Sequence, residues 1–226
     1  MPQEKVFSVR ATNEEPWVQL ANGTELGNWR HEDEVAYNQG NRQAQKHRFF
    51  VQAFDFLKDN RVRGNYLEFG CHRCRTFRMA LTEARRHGLD TMKFFAFDSF
   101  EGLPEPRSGH SVEIWRRGAL TTSVERFMEL VKDHGVYVDH VHPIKGFYAD
   151  SLTDSLRAKF LNEEDKIALV TVDCDLYESA VPVFRFIEPL LQEGSQIYLD
   201  DLFAGYKGSP DKGMARAFRE FRQRSR

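Results

Sequence analysis

The chain has 226 residues, of which 41% are hydrophobic and 29% are charged, and its formal net charge is −2. This length suits one well-buried α/β domain with a short appendage and is small for two full domains. A near-neutral charge gives no reason to expect nucleic acid or an acidic membrane as a partner.

Several features concern the compartment. No apolar run approaches the roughly 18 residues that a membrane span requires, and the N-terminal segment MPQEKVFSVR lacks the apolar centre of a secretory signal. The three cysteines, Cys71, Cys74 and Cys174, are an odd number that fits a reducing compartment better than a disulfide framework. We therefore expect a cytoplasmic protein with no membrane partner and no structural disulfides.

Residues 1–44 are polar and show no sustained hydrophobic period, which predicts an arm or lid. An amphipathic helix is predicted from residue 45, because the apolar residues that follow recur at helical spacing: Phe49, Phe50, Ala53, Phe54 and Leu57. We expect residues 45–226 to form a single catalytic domain.

Beyond Gly64, short apolar runs alternate with helical patterns, which is typical of βα units around a parallel sheet. Strands are predicted at 65–69, 93–98, 138–144, 167–173 and 195–201, and helices at 75–87, 122–134, 151–161, 179–192 and 212–224. Thr122 opens a predicted capping box with Glu125, and Ser179 is a predicted N-cap. The longest predicted loop, 102–118, is of a length that is usually functional or mobile.

Ligands of parallel sheets bind beyond the carboxyl ends of the strands. Gly70 directly follows the first predicted strand, where a glycine allows a tight turn close to a nucleoside, and Glu68 is placed to meet a polar group of that ligand. Asp98 ends the second strand, where an acid can bind a ribose diol. Together these residues predict a nucleoside ligand; the alternative for Asp98 is to cap the loop that follows it.

Four carboxylates end the fourth and fifth predicted strands: Asp173, Asp175, Asp200 and Asp201. Like charges gathered at adjacent strand ends repel one another unless a cation lies between them. Ligands that are all oxygen atoms favour a hard ion, with Mg²⁺ as the leading candidate and Ca²⁺ or Mn²⁺ as alternatives. The competing interpretation is that some of these acids cap helices or pair with Arg and Lys.

A Cys-x-x-Cys pattern, Cys71 to Cys74, lies between the first predicted strand and the helix that follows it. It is similar to a thioredoxin-like redox motif. Because it lies inside the turn that would face the nucleoside, ordinary loop packing is the preferred interpretation. His72 and His110 are predicted to border the site and are candidates for proton transfer.

Five motifs occur in a recognisable order: YLEFG (66–70), FDSFEGLP (97–104), KGFYADSL (145–152), VDCDLYES (172–179) and LDD (199–201), followed by GMARAFREF. From about Gly64 to Phe221 the chain resembles the macrocin, mycinamicin and novobiocin O-methyltransferases, the TylF-like family. The resemblance implies a Rossmann-like class I methyltransferase fold that uses S-adenosylmethionine and Mg²⁺ to methylate a hydroxyl of a small molecule, such as a sugar, a phenol or a natural-product scaffold.

The resemblance also implies a role for each site residue. The cofactor-binding residues would be Glu68, Gly70, Cys71, Asp98, Ser99, Gly146, Phe147, Tyr148 and Asp173. The Mg²⁺ ligands would be Asp173, Asp200 and Asp201, and the catalytic residues Asp173 and Asp175, with Asp175 as the general base. We expect the Asp175 side chain to point away from Asp173 if the strand continues through both.

This sequence departs from the family pattern in two places. Cys74 and Arg75 stand where family members usually carry glycines, so we expect a narrowed or altered cofactor loop. The sequence ends at Arg226, before the last two strands of a usual class I methyltransferase. We therefore expect either that a C-terminal piece is missing or that the sheet edge is covered by another element, such as a second subunit of a homo-oligomer.

Two other functions remain open at this stage. Asp173-x-Asp175 after an apolar strand also fits a metal-dependent glycosyl or phosphoryl transferase, although Tyr177 departs from the phosphatase pattern. A methyltransferase-like domain that binds cofactor or partner without turnover is the third hypothesis, prompted by Cys74, Arg75 and the short C-terminus.

Overall fold

The computed structural model describes residues 30–106, 115–162 and 166–225. The chain divides into two units, Met1–Phe49 and Phe50–Arg226, and every candidate site residue belongs to the second. Residues 1–29 of the predicted arm and His110 of the predicted loop lie outside the described residues. The domain boundary between residues 44 and 45 stays a prediction.

The helices are α1 His31–Asp59, α2 Arg75–His87, α3 Val124–His134, α4 Tyr148–Ser151, α5 Asp154–Asn162, α6 Tyr177–Ile187 and α7 Gly213–Arg224. The strands are β1 Asn65–Phe69, β2 Phe94–Asp98, β3 Val141–Lys145, β4 Ile167–Val172 and β5 Leu191–Leu199. Short 3₁₀ turns cover His72–Cys74, Val138–His140, Glu188–Leu190 and Tyr206–Gly208.

The strands form one sheet in the order β3-β2-β1-β4-β5, and every pairing is parallel. The order reverses between β1 and β4, the switch point at which ligands of such sheets bind. The register aligns the strand ends, since Phe69 pairs with both Phe97 and Val172, and Val172 pairs with Leu199. The predicted Rossmann-like α/β fold is confirmed, and the ends of neighbouring strands meet along one edge.

Strands β1 and β4 are buried along their whole length, as expected when both faces of a parallel sheet are covered. Aromatic rings fill the core, with Phe69 stacked on Phe97 at a centroid distance of 4.5 Å and Phe186 edge-on to Phe97 at 5.7 Å. Four of the apolar residues that predicted a helix after residue 45 are buried: Phe50, Ala53, Phe54 and Leu57.

Several predicted boundaries were wrong. The helix that was predicted from residue 45 begins at His31, so a polar stretch without an apolar period is nevertheless helical. Residues 138–140 form a 3₁₀ turn, preceded by Tyr137 in a left-handed conformation with φ 49°, and the strand predicted from residue 138 begins only at Val141. Strand β5 begins at Leu191, inside the predicted helix 179–192.

Two predicted helix caps were also wrong. The Ser123 side chain, and not Thr122, caps α3 by accepting a hydrogen bond from the Arg126 amide at 3.2 Å. Helix α6 begins at Tyr177, which places Ser179 inside the helix. Thr122 instead contacts His72, so a tertiary partner outcompetes the local capping box for its hydroxyl.

No helix in the described parts of the chain is both long and apolar enough to cross a membrane. The cytoplasmic location stays a prediction.

Candidate active site at the strand ends

Gly70 directly follows β1 and lies against Asp173, which directly follows β4. Its φ is +93°, and a Cβ atom at this position would lie 1.7 Å from the carbonyl oxygen of Asp173. The Gly70 amide donates to Phe97, and the Asp173 amide donates to Phe69, so the end of β1 is held between its two neighbours. Glycine is required here by the close approach of two chain segments, in addition to any approach of a ligand.

Asp98 orders the loop beyond β2. Its Oδ2 accepts a hydrogen bond from the Cys71 amide and its Oδ1 from the Phe100 amide, each at 2.7 Å. Burial raises the pKa of Asp98, while the hydrogen bonds from the Cys71 and Phe100 amides act in the opposite direction. The capping role that was the alternative for Asp98 is therefore present; the ribose contact stays a prediction.

The Ser99 hydroxyl also holds this loop. It donates to the Gly102 carbonyl at 2.7 Å and accepts from the Glu101 amide at 3.1 Å. Ser99 is buried, so its first role is to fix the turn that brings Asp98 to the edge of the sheet. Its predicted contact with the cofactor is not tested by this geometry.

Glu68 lies in a buried polar network inside β1. The Tyr66 hydroxyl donates to its Oε2 and lies 3.0 Å from the Thr171 hydroxyl on β4. Only 2% of Glu68 is exposed, so its carboxylate faces the protein more than the solvent. Burial, followed by the Glu68 charge, raises the pKa of Tyr66 well above its usual range and keeps the phenol a donor.

The strained residues of the cofactor loop are Arg73 and Cys74, with φ values of 57° and 54°, whereas Arg75 has an ordinary helical φ of −71°. The left-handed conformations thus fall at Arg73 and Cys74, whereas Arg75 continues into the helix. Left-handed conformations are costly for residues with a Cβ atom, which explains why glycine suits these positions.

Cys71 and Cys74 are free and buried. Burial, followed by the Glu68 charge, raises the pKa of both thiols, which disfavours the thiolate that redox chemistry needs. Loop packing, the interpretation preferred for this motif, agrees with these surroundings. Burial and the charges of Arg73 and Arg75 lower the pKa of His72, which favours its neutral ring.

The segment Gly146–Tyr148 follows β3 next to Asp98. The Gly146 amide donates to the Asp98 carbonyl at 2.9 Å, and the Tyr148 hydroxyl donates to the Phe97 carbonyl at 3.2 Å. Phe147 is 36% exposed and thus presents apolar surface at the edge of the sheet. The assignment of this segment to adenine stays a prediction.

Three acids form an oxygen cluster at the ends of β4 and β5. Asp173, Asp200 and Asp201 each offer one carboxylate oxygen, and these three atoms lie within 4.8 Å of one another. The Asp200 amide donates to the Val172 carbonyl at 3.1 Å, which places the end of β5 beside Asp173. Three carboxylate oxygens are a donor set that fits a hard divalent cation.

Asp175 lies beside this cluster in a tight turn. Its φ is 58°, and the Leu176 amide donates to the Cys174 carbonyl across it at 2.5 Å. Burial, followed by the charges of Asp201 and Asp173, raises the pKa of Asp175 to about 9. Strand β4 ends at Val172 and does not continue through Asp173 and Asp175, so the expectation based on a continuing strand was wrong. In a continuing strand, two residues that are two positions apart would point to the same face. The turn decides the direction of Asp175 instead.

Two aromatic residues, Trp115 and Tyr206, were missed by sequence reasoning. Trp115 is buried, it acts against the rise in the pKa of Asp175, and its ring lies 6.0 Å from that of Tyr206. Both residues lie in irregular segments without a hydrophobic period, so no local pattern identified them. The only available signal was the length of the predicted loop 102–118, which contains Trp115.

Comparison with known proteins gives the chain a family context. The family model described as Macrocin-O-methyltransferase (TylF) matches residues 31–226. A curated relative from Streptomyces olivaceus, 8-demethyl-8-(2,3-dimethoxy-alpha-L-rhamnosyl)-tetracenomycin-C 4'-O-methyltransferase, is 27% identical over 146 residues, which cover 62% of this chain and 53% of the relative. The chain thus spans about half the length of that relative.

Solved structures share the fold. The O-methyltransferase NovP superposes with a TM-score of 0.65 at 20% identity, covering 79% of this chain and 71% of NovP. The calicheamicin methyltransferase CalS11 superposes with a TM-score of 0.63 at 19% identity, covering 89% of this chain and 77% of CalS11. At these identities the likeness shows a common class I methyltransferase fold.

Proposed function

This chain belongs to the macrocin O-methyltransferase (TylF) family, and we propose from that premise that it transfers a methyl group from S-adenosylmethionine to a hydroxyl of a small molecule. The family match spans every described strand. A sugar hydroxyl on a natural product is the proposed acceptor, because the curated relative is named for methylating a rhamnosyl group.

The observation that carries this proposal is the oxygen cluster of Asp173, Asp200 and Asp201 beside Asp175. We assign the three clustered acids to Mg²⁺. Oxygens that share one Mg²⁺ lie at most about 4.2 Å apart, since each Mg–O distance is about 2.1 Å. The observed spacing within 4.8 Å is close to that limit, so small side-chain movements would complete the site.

The chemistry divides between the two halves of the site. When bound, Mg²⁺ supplies positive charge that lowers the pKa of a nearby hydroxyl, and S-adenosylmethionine supplies the electrophilic methyl group. We assign the general base to Asp175. Burial and the charges of Asp201 and Asp173 raise its pKa, and a cation held by the cluster would favour the carboxylate form that can accept the proton of the acceptor hydroxyl. Asp175 suits that role because it lies outside the three-oxygen cluster yet is adjacent to Asp201.

The cofactor half would orient the methyl donor. Gly70 allows the tight turn at the end of β1 beside Asp173, and Asp98 lies at the end of β2, where it is placed to meet the ribose. Phe147 and Tyr148 would border the adenine. Holding donor and acceptor in line in this way converts a bimolecular encounter into an oriented displacement.

The direct test is methyl transfer by the purified full chain. Incubation with S-adenosylmethionine, Mg²⁺ and a panel of glycosylated and phenolic acceptors should give products heavier by one methylene unit, detected by mass spectrometry. Chelation with EDTA should remove the activity and added Mg²⁺ should restore it. Activity that survives EDTA would overturn the metal assignment but not methyl transfer.

Substitutions in the acidic cluster distinguish the proposed role in Mg²⁺ binding from a role in cofactor binding. Asp173→Ala should abolish Mg²⁺-dependent turnover. Asp201→Ala, which removes a proposed metal ligand with no predicted cofactor contact, should do the same and spare S-adenosylmethionine affinity, measured by calorimetry. The matched control is Asp133→Ala, which removes an exposed acid from α3 and should change neither quantity. Unchanged turnover in Asp173→Ala would contradict the role of this residue.

The rival hypotheses predict different binding. A glycosyl or phosphoryl transferase should bind a UDP-sugar with Mg²⁺ and not S-adenosylmethionine, although the family match favours methyl transfer. A non-catalytic domain should bind S-adenosylmethionine without methylating any member of the acceptor panel. Absence of S-adenosylmethionine binding by the wild type would overturn the main proposal.

A further inference from the structure

The turn between β1 and α2 contains two residues in a conformation that their side chains do not favour. Arg73 and Cys74 have φ values of 57° and 54°, in the left-handed region where a residue with a Cβ atom is costly. Such residues persist only where the surrounding structure holds them. The groups that bond to this turn therefore decide whether it keeps the shape in which it would receive the cofactor.

Thr122 holds this turn from a distant part of the chain. Its Oγ1 accepts a hydrogen bond from the Arg73 amide at 2.9 Å and lies 3.0 Å from Nδ1 of His72. A hydroxyl has one hydrogen and two lone pairs, so a single side chain can serve both partners. Thr122 thus bonds to the backbone of the first left-handed residue and to the ring of the residue before it.

The helix that follows Thr122 is fixed to the core. Phe127 of α3 is fully buried, and its ring centroid lies 5.2 Å from that of Phe77 on α2 and 5.6 Å from that of Phe100 beyond β2. Both ring pairs are edge-on, a favoured arrangement for aromatic side chains. The start of α3 is therefore a firm support for the Thr122 hydroxyl.

The segment before Thr122 is tied to the loop beyond β2. The Leu103 amide donates to the Ala119 carbonyl, and the Gly118 amide donates to the Leu103 carbonyl, each at 3.0 Å. A Cβ atom on Gly102 would lie 2.5 Å from Oγ1 of Thr121, so the two segments are in close contact. Thr122 is thus anchored on both sides.

The turn after β1 is consequently held from two directions. Asp98 accepts a hydrogen bond from the Cys71 amide at 2.7 Å at the start of the turn, and Thr122 accepts one from the Arg73 amide in its middle. Both acceptors bond to backbone amides, so they fix the path of the chain itself. The Thr122 hydroxyl supplies a restraint that the left-handed Arg73 needs.

We propose that Thr122 is a positioning residue, whose hydroxyl keeps the turn His72–Cys74 in the shape that binds S-adenosylmethionine. This inference rests on the proposed methyl transfer, and it gives His72 an anchoring role in place of proton transfer. A merely structural role would require only that Thr122 support the start of α3. A positioning role requires the hydroxyl group and acts on cofactor affinity.

Thr122→Val keeps the shape of the side chain and removes the hydroxyl. The Kd for S-adenosylmethionine, measured by calorimetry, should rise about 5- to 10-fold because the Arg73 amide loses its acceptor. KM for S-adenosylmethionine should rise by the same factor, whereas kcat at saturating cofactor should change less than about twofold. Thr122→Ser keeps the hydroxyl and should bind the cofactor within about twofold of the wild type.

Two control variants separate cofactor affinity from helix stability. Ser123→Ala removes the side chain that caps α3, and Thr153→Val removes a hydroxyl that accepts from the Leu156 amide at 3.1 Å at the start of α5. Both should lower the midpoint of thermal unfolding and leave the Kd for S-adenosylmethionine within about twofold of the wild type.

Two results would overturn the proposal: an unchanged Kd in Thr122→Val, or an equal loss of affinity in Ser123→Ala. Circular dichroism of each variant identifies a loss of fold. If Thr122→Val does not fold, Thr122→Ala takes its place in the same comparison with Thr122→Ser.

Hydrogen exchange measures the contact without cofactor or turnover. The Arg73 amide, followed by NMR, should exchange about 10-fold faster in Thr122→Val and at the wild-type rate in Thr122→Ser. An unchanged rate in Thr122→Val would contradict the contact itself. Faster exchange in Thr122→Val, together with a wild-type protein that binds no S-adenosylmethionine, would overturn the proposed function and leave the contact standing.

Discussion

At the ends of β1 and β2 the Asp98 carboxylate accepts hydrogen bonds from two backbone amides, while at the ends of β4 and β5 Asp175 faces the acidic side chains of Asp173 and Asp201. The first half is organised by the protein's own donors. The second half brings like charges together, an arrangement whose repulsion a cation would offset. The Asp98 loop is thus held by hydrogen bonds within the protein, whereas the acids at the ends of β4 and β5 form a site suited to a cation, and both lie at the same edge of the sheet.

The largest expected effect comes from a substitution at Gly70, where the ends of β1 and β4 meet. Gly70→Ala would place a methyl group against the Asp173 carbonyl at a left-handed φ, which should cost about 4 kcal/mol or more of unfolding free energy. Chemical denaturation measures this. The control is Gly88→Ala, which has a similar positive φ but nothing within 4 Å of the new Cβ atom, and should cost only about 1 kcal/mol. Equal losses would mean that the close approach at Gly70 is unimportant.

A second substitution addresses the acidic half alone. Asp200→Asn removes one charge from the oxygen cluster and should weaken Mg²⁺ binding by at least about 10- to 100-fold. Affinity for S-adenosylmethionine should not change. Titration of Mg²⁺ against the variant by calorimetry measures the first quantity. A parallel loss of cofactor affinity would show that the two halves are not separable.

The converse substitution addresses the cofactor half. Asp98→Asn keeps an acceptor for one backbone amide and loses the other, so S-adenosylmethionine should bind about 10-fold more weakly and the free energy of unfolding should fall by about 1 kcal/mol. Binding of Mg²⁺ should be unaffected. If the cofactor binds normally, Asp98 acts only as a loop cap.

The smallest effect concerns the strained turn that precedes α2. Arg73→Gly should change the free energy of unfolding by less than about 0.5 kcal/mol, because relief of the left-handed conformation offsets the extra freedom of the unfolded chain. Arg75→Gly, at an ordinary helical φ, should lose about 0.5–1 kcal/mol. A thermal melt of each variant compares them. The reverse order would place the strain at Arg75 after all.

The order of βα units could be predicted from the sequence because it depends on local signals. Hydrophobic period and glycine breaks located β1 without error and the other strands to within a few residues, and the acids followed from the ends of those strands. The start of α1 at His31 escaped prediction because its first half has no apolar stripe. The predicted helix cap at Thr122 was wrong because the Thr122 hydroxyl contacts His72, a residue distant in the sequence, instead of capping the helix.

The sequence by itself determined the fold class and the identity of the acids at the carboxyl edge, because both follow from residues close together in the chain. Only the tertiary structure decided which polar groups meet. It joined Asp98 to the Cys71 amide, Tyr66 to Glu68 and Thr171, and the Trp115 ring to that of Tyr206. These contacts link segments from different strands and loops, and their geometry depends on how the sheet aligns its ends and how the loops fold back over them.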